Sequence, residues 1–267
     1  MSIDKKYFQA HSSHLVSPSP WPILTAFALF YTTIGATAYF HGYGAMTLNI
    51  GLLATVFGMQ LWLRDVVIEG SYQGHHLPRV AYGFMLGFVL FIVSEVFAFI
   101  SIFWAYAHSA LVPSIELGST WPPTGITAID PFGLPLLNTI LLLSSGAVLT
   151  VAHHGLVQNS RAIAIRGLIA TIILAILFTA CQVFEYYSAP FGITDSAYGS
   201  TFFGSTGLHG FHIFVGTIFL VIGLFRIINY NSTSQHSVGL EAGILYWHFV
   251  DVVWIALFAV MYYWAAQ

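Results

Sequence analysis

Long apolar stretches, separated by short polar or glycine- and proline-rich connections, run along almost the whole chain. A helix needs about 20 mostly apolar residues to cross the roughly 30 Å hydrocarbon core of a membrane. Seven stretches reach this length, so the pattern predicts an all-α, polytopic membrane protein. The predicted helices are Trp21–Phe40, Met46–Leu63, Val80–His108, Leu136–Val157, Ile163–Tyr187, Tyr198–Ile228 and Gly239–Trp264.

The connections between these helices are too short to separate soluble domains, and we expect a single membrane domain over residues 1–267. Helix 2 is expected to end at the charged pair Arg64-Asp65. Helices 1 and 2, about residues 20–68, form a candidate hairpin that is separable from a bundle of helices 3–7, about residues 78–265.

The basic residues predict the orientation of the chain in the membrane. Every lysine and arginine falls at the N-terminus or in an even-numbered connection. These residues are Lys5, Lys6, Arg64, Arg79, Arg161, Arg166 and Arg226. Lysine and arginine are enriched in the connections that stay on the inner side of a membrane. The distribution therefore predicts an N-terminus inside and a C-terminus outside.

The composition agrees with a surface that faces lipid. Hydrophobic residues make up 57% of the chain and charged residues only 6%, whereas about 25% of the residues of a soluble domain are charged. Seven basic residues and a net charge of −3 do not provide a basic surface for a nucleic-acid phosphate backbone, so we expect no nucleic-acid partner. The single cysteine, Cys181, lies in an apolar stretch and excludes a disulfide framework.

Two carboxylic acids fall inside predicted membrane helices. A charge at the bilayer centre costs about 2.5–3.5 kcal/mol on insertion scales, so such a residue is usually paired, protonated or functional. Glu95, in the middle of helix 3, is either a proton-relay or lipid-contact residue or a structural hydrogen-bonding group. Asp251 lies three residues after His248 on one helical face, and pairing between them is the simpler interpretation.

Intramembrane histidines raise the question of a metal or haem site. His209 and His212 share a face of helix 6, and either could meet His248 of helix 7. The chain lacks a cysteine partner or a glutamate-and-histidine pattern, which favours histidines that pack and form hydrogen bonds. We expect no metal site. In helix 3, Gly83 and Gly87 indicate close helix packing.

A cluster of aromatic and charged residues surrounds the connection between helices 2 and 3. Cations and aromatic rings at one membrane interface suit a phospholipid headgroup. An ordinary basic loop is the alternative. The residues are Trp62, Arg64, Glu69, His75, His76 and Arg79.

Ten short motifs occur in order along the seven predicted helices. They are Pro18–Pro22, Leu63–Asp65, Ser94–Val96, Phe103–Ser109, Trp121–Gly125, Pro135–Thr139, Glu185–Tyr187, Ala189–Phe191, Thr206–His212 and Tyr246–Trp254. On these motifs the chain resembles cytochrome c oxidase subunit III over essentially its whole length, and the mitochondrial, fungal branch of that family more than the bacterial one. It departs from the family at Gln235-His236 and in the C-terminal residues Tyr263–Gln267.

The resemblance implies a core subunit of the respiratory oxidase that passes electrons from cytochrome c to oxygen and pumps protons. Such a subunit has no catalytic residue, haem or copper, which belong to subunits I and II. Two helices and five helices enclose a V-shaped cleft that holds phospholipids. Subunits I and II and smaller accessory subunits are the implied partners. The implied location is the mitochondrial inner membrane, with the N-terminus in the matrix and the C-terminus toward the intermembrane space.

The family's role implies that this chain stabilises the catalytic subunit and supports access of protons and oxygen. Glu95 matches the family's buried carboxylate, and lipid contacts are implied for Trp62, Arg64, Glu69, His75 and Arg226. Two alternatives are a transporter with Glu95 and Asp251 as its relay, and a haem-bearing subunit. No repeat between the two halves supports a transporter.

Overall fold

The computed structural model of the chain describes residues 13–115, 118–231 and 237–267. Lys5, Lys6, Glu116, Gln235 and His236 lie outside these ranges. Within them, seven helices are long and apolar enough to cross a membrane, and no strand is present. They are α1 (Trp21–Phe40), α2 (Met46–Ser71), α3 (Pro78–Leu111), α4 (Leu134–Val157), α5 (Arg161–Ser188), α6 (Ser196–Ile228) and α7 (Val238–Leu257). A π-helical segment, Phe258–Tyr263, and a 3₁₀ turn, Trp264–Ala266, continue α7.

The seven predicted helices are confirmed, but the predicted end of the second helix is wrong. Helix α2 continues past Arg64 and Asp65 to Ser71. The two charged residues therefore lie within the helix rather than after it, because long or polar side chains at a helix end can reach headgroup depth while the backbone stays helical. The chain turns only beyond the helix, at Gly74, whose φ of +67° favours glycine.

Large apolar side chains cover the outward faces of the helices. On α1, Phe27 and Phe30 are 65% and 64% exposed, and on α2 Leu53 is 72% exposed. A soluble protein rarely exposes contiguous apolar surface on this scale. With hydrocarbon as the surrounding solvent, such faces are expected. The chain is a multi-pass membrane protein.

Internal contacts divide the chain into two compact units, one up to Phe84 and one from Met85 onward. The division falls inside α3, not in the connection before it. The predicted hairpin of residues 20–68 and bundle of residues 78–265 stay predictions.

Small residues form the seam between α1 and α2 in the first unit. The buried residues of the two helices are Thr25 and Gly35 of α1 and Gly51, Thr55 and Gly58 of α2. A Cβ atom at Gly35 would lie 2.6 Å from Leu48 Cα, so the two backbones touch there. Lipid chains are as apolar as leucine, and helices in a membrane therefore associate by close packing of small residues.

Two polar contacts add to this seam. The hydroxyl groups of Thr32 and Thr55 lie 3.2 Å apart, within hydrogen-bonding distance. At the far end of α2, the Trp21 indole N–H donates to the Asp65 carboxylate. Trp21 begins α1, so this bond fastens the start of one helix to the last turns of its neighbour.

The second unit has an aromatic core in which two buried tryptophans form hydrogen bonds through their indole N–H groups. Trp247 and Trp254 of α7 are fully buried. Their indole N–H groups donate to Ser145 Oγ at 2.9 Å and Thr139 Oγ1 at 3.0 Å, both on α4. A buried indole usually finds such a partner. These bonds fix the register of α7 against α4.

Arg161, the first residue of α5, caps the end of α6. Its guanidinium group donates to the carbonyl oxygens of Ile227 (3.1 Å) and Ile228, and it lies 3.6 Å from the centre of the Tyr230 ring. The last carbonyls of a helix have no partner within the helix and favour a nearby cation. The contact couples the beginning of one helix to the end of the next.

The packing predicted for Gly83 and Gly87 is not found among the residues that the structure describes. A Cβ atom at either glycine would meet no described atom within 4 Å. Close approaches between helices occur instead at positions such as Gly35 of α1, which lies against Leu48 of α2, and Gly51 of α2, which lies against Thr32 of α1.

Alanine at Gly51 is expected to weaken the α1–α2 hairpin, because its methyl group would lie 2.7 Å from Thr32 Cα. Overpacking of this kind costs about 1–3 kcal/mol. The matched control is Gly243→Ala, a buried helical position where the methyl group would meet Phe219 Cβ at an ordinary 3.5 Å. The measurement is the thermal unfolding midpoint of the purified protein in detergent. Equal midpoints for the two variants would contradict the role of the seam.

Candidate functional site

Glu95 of α3 is paired with His212 of α6. Their Oε2 and Nε2 atoms lie 2.9 Å apart, and the two side chains are 24% and 5% exposed. Phe99, one turn further along α3, is buried and packs against the His212 ring at 5.0 Å between centroids. The helical spacing of four residues brings Glu95 and Phe99 to the same face. This face of α3 therefore meets His212 with both a carboxyl group and an aromatic ring.

The other nitrogen of His212 determines how many protons the pair holds. His212 Nδ1 lies 2.8 Å from the Leu208 carbonyl oxygen, which can only accept a hydrogen bond, so Nδ1 carries a hydrogen. Nε2 then either accepts a proton from a protonated Glu95 or, as part of an imidazolium ion, donates to the carboxylate. In both cases one proton is shared and the pair has no net charge.

Aromatic rings enclose the pair. The ring of Tyr246 is stacked on His212, with an angle of 12° and 6.0 Å between centroids, and Phe249 lies 6.3 Å away. Such surroundings have a low dielectric constant, in which an uncompensated charge is costly and a shared proton strengthens the contact. The arrangement can hold a proton within the membrane without exposing a full charge to lipid.

His209 has a different environment from His212, although the two residues share a helix face. Its ring is buried between Phe178, at 5.9 Å, and Trp254, at 5.1 Å. Neither ring nitrogen has a hydrogen-bond partner among the described residues. The hydrogen bonding expected of both histidines is therefore found only for His212.

His248 and Asp251 lie together on α7. His248 Nδ1 and Asp251 Oδ2 are 3.6 Å apart, which suits an ion pair but exceeds a hydrogen-bond distance. Asp251 is 6% exposed, and a Cβ atom at Gly146 of α4 would collide with its carboxylate. Glycine at this position therefore makes room for the aspartate.

A buried polar network around Glu185 was not predicted as a separate feature. Glu185 is 2% exposed, and its Oε1 accepts hydrogen bonds from Tyr262 Oη at 2.6 Å and Gln182 Nε2 at 3.2 Å. Asn138 Nδ2 of α4 donates to the Gln182 side-chain oxygen at 3.3 Å. The network joins three parts of the bundle. Its one signal in the sequence is an acidic residue in the last turn of a predicted membrane helix.

The residues predicted to contact lipid are divided between the two units. Trp62, Arg64, Glu69 and His75 belong to the first unit, and Arg226 and Glu95 to the second. The Trp62 residue is 42% exposed and the Arg64 side chain is 56% exposed.

Besides Glu95, both predicted lipid-contact arginines have a partner for their side chain in the structure. Arg64 Nη2 lies 2.8 Å from Asp65 Oδ1. Arg226 Nη2 donates to the Asn231 carbonyl oxygen at 3.5 Å. Both guanidinium groups lie near helix ends, where headgroups would be found.

Comparison with known proteins gives one consistent family. The family model for cytochrome c oxidase subunit III matches residues 11–266. The chain is 54% identical to cytochrome c oxidase subunit 3 of Schizophyllum commune over 261 residues, which covers 97% of each chain. It is 55% identical to that of Rhizopus stolonifer over 258 residues, or 96% of this chain and 92% of the relative. The carp Cyprinus carpio protein is 50% identical over 97% of this chain and 99% of its own.

Replacement of Glu95 by glutamine should leave stability close to that of the unmodified protein, because an amide N–H can still donate to His212 Nε2. Replacement by leucine leaves this buried nitrogen without a partner, which costs about 1–3 kcal/mol. The check is the thermal unfolding midpoint of each purified variant. An equal loss in Glu95→Gln and Glu95→Leu would show that the hydrogen bond to His212 contributes nothing.

Proposed function

Because the chain belongs to the cytochrome c oxidase subunit III family, we propose that it supports the respiratory terminal oxidase by binding phospholipid and stabilising the catalytic subunit. The oxidase is an oxidoreductase complex, and this chain is a non-catalytic subunit of it. The match to the family over residues 11–266 carries this conclusion. The further statements below concern the role of the chain within that complex.

The redox centres of the complex belong to partner chains. Subunits I and II, which hold haem and copper, and smaller accessory subunits are the partners that we propose. The environments of the membrane histidines support this assignment. His212 already uses both ring nitrogens, one toward Glu95 and one toward Leu208. His209 is enclosed by Phe178 and Trp254.

Phospholipid binding is proposed at the end of α2. The Arg64 guanidinium group uses Nε and Nη2 for Asp65 Oδ1, at 3.1 and 2.8 Å. Guanidinium has five N–H donors, so this bond leaves further donors for a phosphate group. The half-exposed indole of Trp62 suits headgroup depth. Glu69, in the last turn of α2, and His75, in the connection after the helix, would contact the same headgroup region.

Arg226 is proposed as a second lipid contact, at the end of α6. A Cβ atom at Gly239 would lie 3.0 Å from its Nη1 atom, so glycine leaves the guanidinium group room beside the start of α7. Arg161 lies close to the same helix end and holds its last carbonyls. Two cations at one end of the bundle favour anionic headgroups.

The Glu95–His212 pair is proposed to support proton access to the catalytic subunit. Its two groups share one proton without net charge, so one proton would have to leave as another arrives, because a net gain or loss would leave a costly charge among apolar rings. The partial exposure of Glu95, against the near-complete burial of His212, makes the carboxyl group the outward member of the pair.

We place the chain in the mitochondrial inner membrane, with its N-terminus in the matrix and its C-terminus toward the intermembrane space. The two most similar relatives named above are fungal. The distribution of lysines and arginines supports this orientation.

Replacement of Arg64 by glutamine should lower the anionic phospholipid that copurifies with the oxidase. One cation at headgroup depth is worth about 1 kcal/mol, or roughly a fivefold change in affinity. Arg166→Gln is the control, since it removes the same charge at an exposed position outside the proposed lipid contacts. Lipid mass spectrometry gives the amounts, and the oxidase should also lose activity sooner during prolonged turnover. Equal lipid contents in both variants would contradict the proposed contact.

Single cysteines can test the orientation after Cys181 is replaced by serine. We expect Thr120→Cys, between α3 and α4, to react with a membrane-impermeant maleimide in mitochondria that lack an outer membrane. Gln158→Cys, between α4 and α5, should react only after the inner membrane is opened. Both positions are exposed in the chain. The opposite labelling pattern would reverse the proposed topology.

A further inference from the structure

Three side chains with metal-binding atoms meet at the turn after α2. One ligand atom from each of His14, Glu69 and His76 lies within 4.8 Å of the other two. Among the described residues, this is the only group of three histidine, cysteine or acidic side chains that is so close. All three side chains are partly buried, so they are neither freely mobile at the surface nor sealed from solvent.

The last turn of α2 and the turn after it position Glu69 and His76. Glu69 lies in the last turn of α2, and the chain reverses after the helix with Gly74 at a φ of +67°. The His75 N–H donates to the Glu69 carbonyl oxygen at 3.0 Å and closes the turn. A Cβ atom at Gly70 would overlap the His76 ring, so glycine lets this imidazole lie directly on the helix end.

The third residue of the cluster, His14, lies in the segment before α1. The His14 ring is stacked on His75, with 5.0 Å between centroids and an angle of 18°, and its edge faces His76 at 5.7 Å. Phe84 packs against the His76 ring at 4.9 Å. These three ring contacts hold the two histidines in place, so a ligand would not have to order them from a free state.

We propose that His14, Glu69 and His76 bind a divalent transition-metal cation of the zinc type. Two imidazole nitrogens and one carboxylate oxygen are ligands that zinc accepts, at about 2.0–2.2 Å each, and such a set of three leaves a fourth position for water. Tetrahedral geometry at these lengths separates the ligands by about 3.4 Å. The observed spacing therefore needs only a small closure of the side chains.

Charge favours a cation over a phosphate group at this point. Glu69 carries a negative charge, which attracts a metal ion and repels an anionic headgroup. The sequence predicted lipid contact for Glu69 and no metal, and a bound ion would take the Glu69 carboxylate in place of the headgroup contact proposed above. The site does not depend on the proposed lipid binding at Arg64. A bound ion would fasten the segment before α1 to the turn after α2.

The test uses the purified oxidase complex, depleted of exchangeable metal with a chelator and equilibrated with isotopically enriched zinc. The isotope separates newly bound zinc from metal already resident in partner subunits. Mass spectrometry of the metal then counts enriched zinc per complex in the unmodified oxidase and in His76→Gln and Glu69→Gln. His41→Gln is the control, because His41 directly follows α1 and its ring lies 2.9 Å from the Thr37 carbonyl oxygen of that helix.

We expect the unmodified complex and the control to bind one more enriched zinc ion than the two site variants, or to bind it at least about tenfold more tightly. Loss of even an outer ligand partner weakens a metal site by roughly 10–100-fold. Equal zinc binding in His76→Gln and the unmodified complex would overturn the site. Loss of phospholipid from His76→Gln with unchanged zinc would overturn it in favour of a headgroup.

A second measurement needs no variant. Diethyl pyrocarbonate modifies accessible imidazoles, and peptide mass spectrometry reports the modification of each histidine in the unmodified complex. Zinc should protect His14 and His76 several-fold while leaving His41 unchanged. Equal modification of His14 and His76 with and without zinc would also refute the proposal, even if the variants failed to assemble.

Discussion

Hydrocarbon offers no hydrogen-bond partner, and this constraint explains most of the specific contacts in the chain. A polar atom in the membrane is costly unless it finds a partner inside the protein. The indoles of Trp247 and Trp254 bond to hydroxyl groups of α4, and Arg161 bonds to the free carbonyls of α6. Each bond links two different helices. The hydrogen bonds that pair these polar groups therefore also fix the arrangement of the helices.

The number of helices could be predicted from the sequence because hydrophobic length alone determines whether a segment can cross a membrane. The end of α2 could not, since charged residues at headgroup depth are compatible with continued helix. The glycines that matter for packing were also missed. Gly83 and Gly87 form a visible pattern along one helix, whereas Gly35 and Gly51 acquire meaning only when two helices are placed side by side.

The candidate site, too, could be predicted only in part from the sequence. Glu95 stood out because a carboxyl group in the membrane is costly. Its partner His212 is 117 positions away in sequence, and no local pattern distinguishes it from His209, three residues earlier. The structure separates the two through their neighbours: a carboxyl group and a carbonyl for one, aromatic rings for the other. The Glu185 network was missed because its partners come from α4 and from the segment after α7.

The seam of Gly35, Gly51 and Gly58 has a consequence at the level of the gene. Every replacement of a glycine by another amino acid adds a side chain. The neighbouring lipid-facing positions differ, because leucine, isoleucine, valine and phenylalanine codons interconvert by single changes that preserve apolar character. The two faces of the hairpin therefore differ in what a substitution does. On the outer face an apolar replacement keeps the contact with lipid, whereas at the three glycines any side chain meets an atom of the facing helix within 2.8 Å.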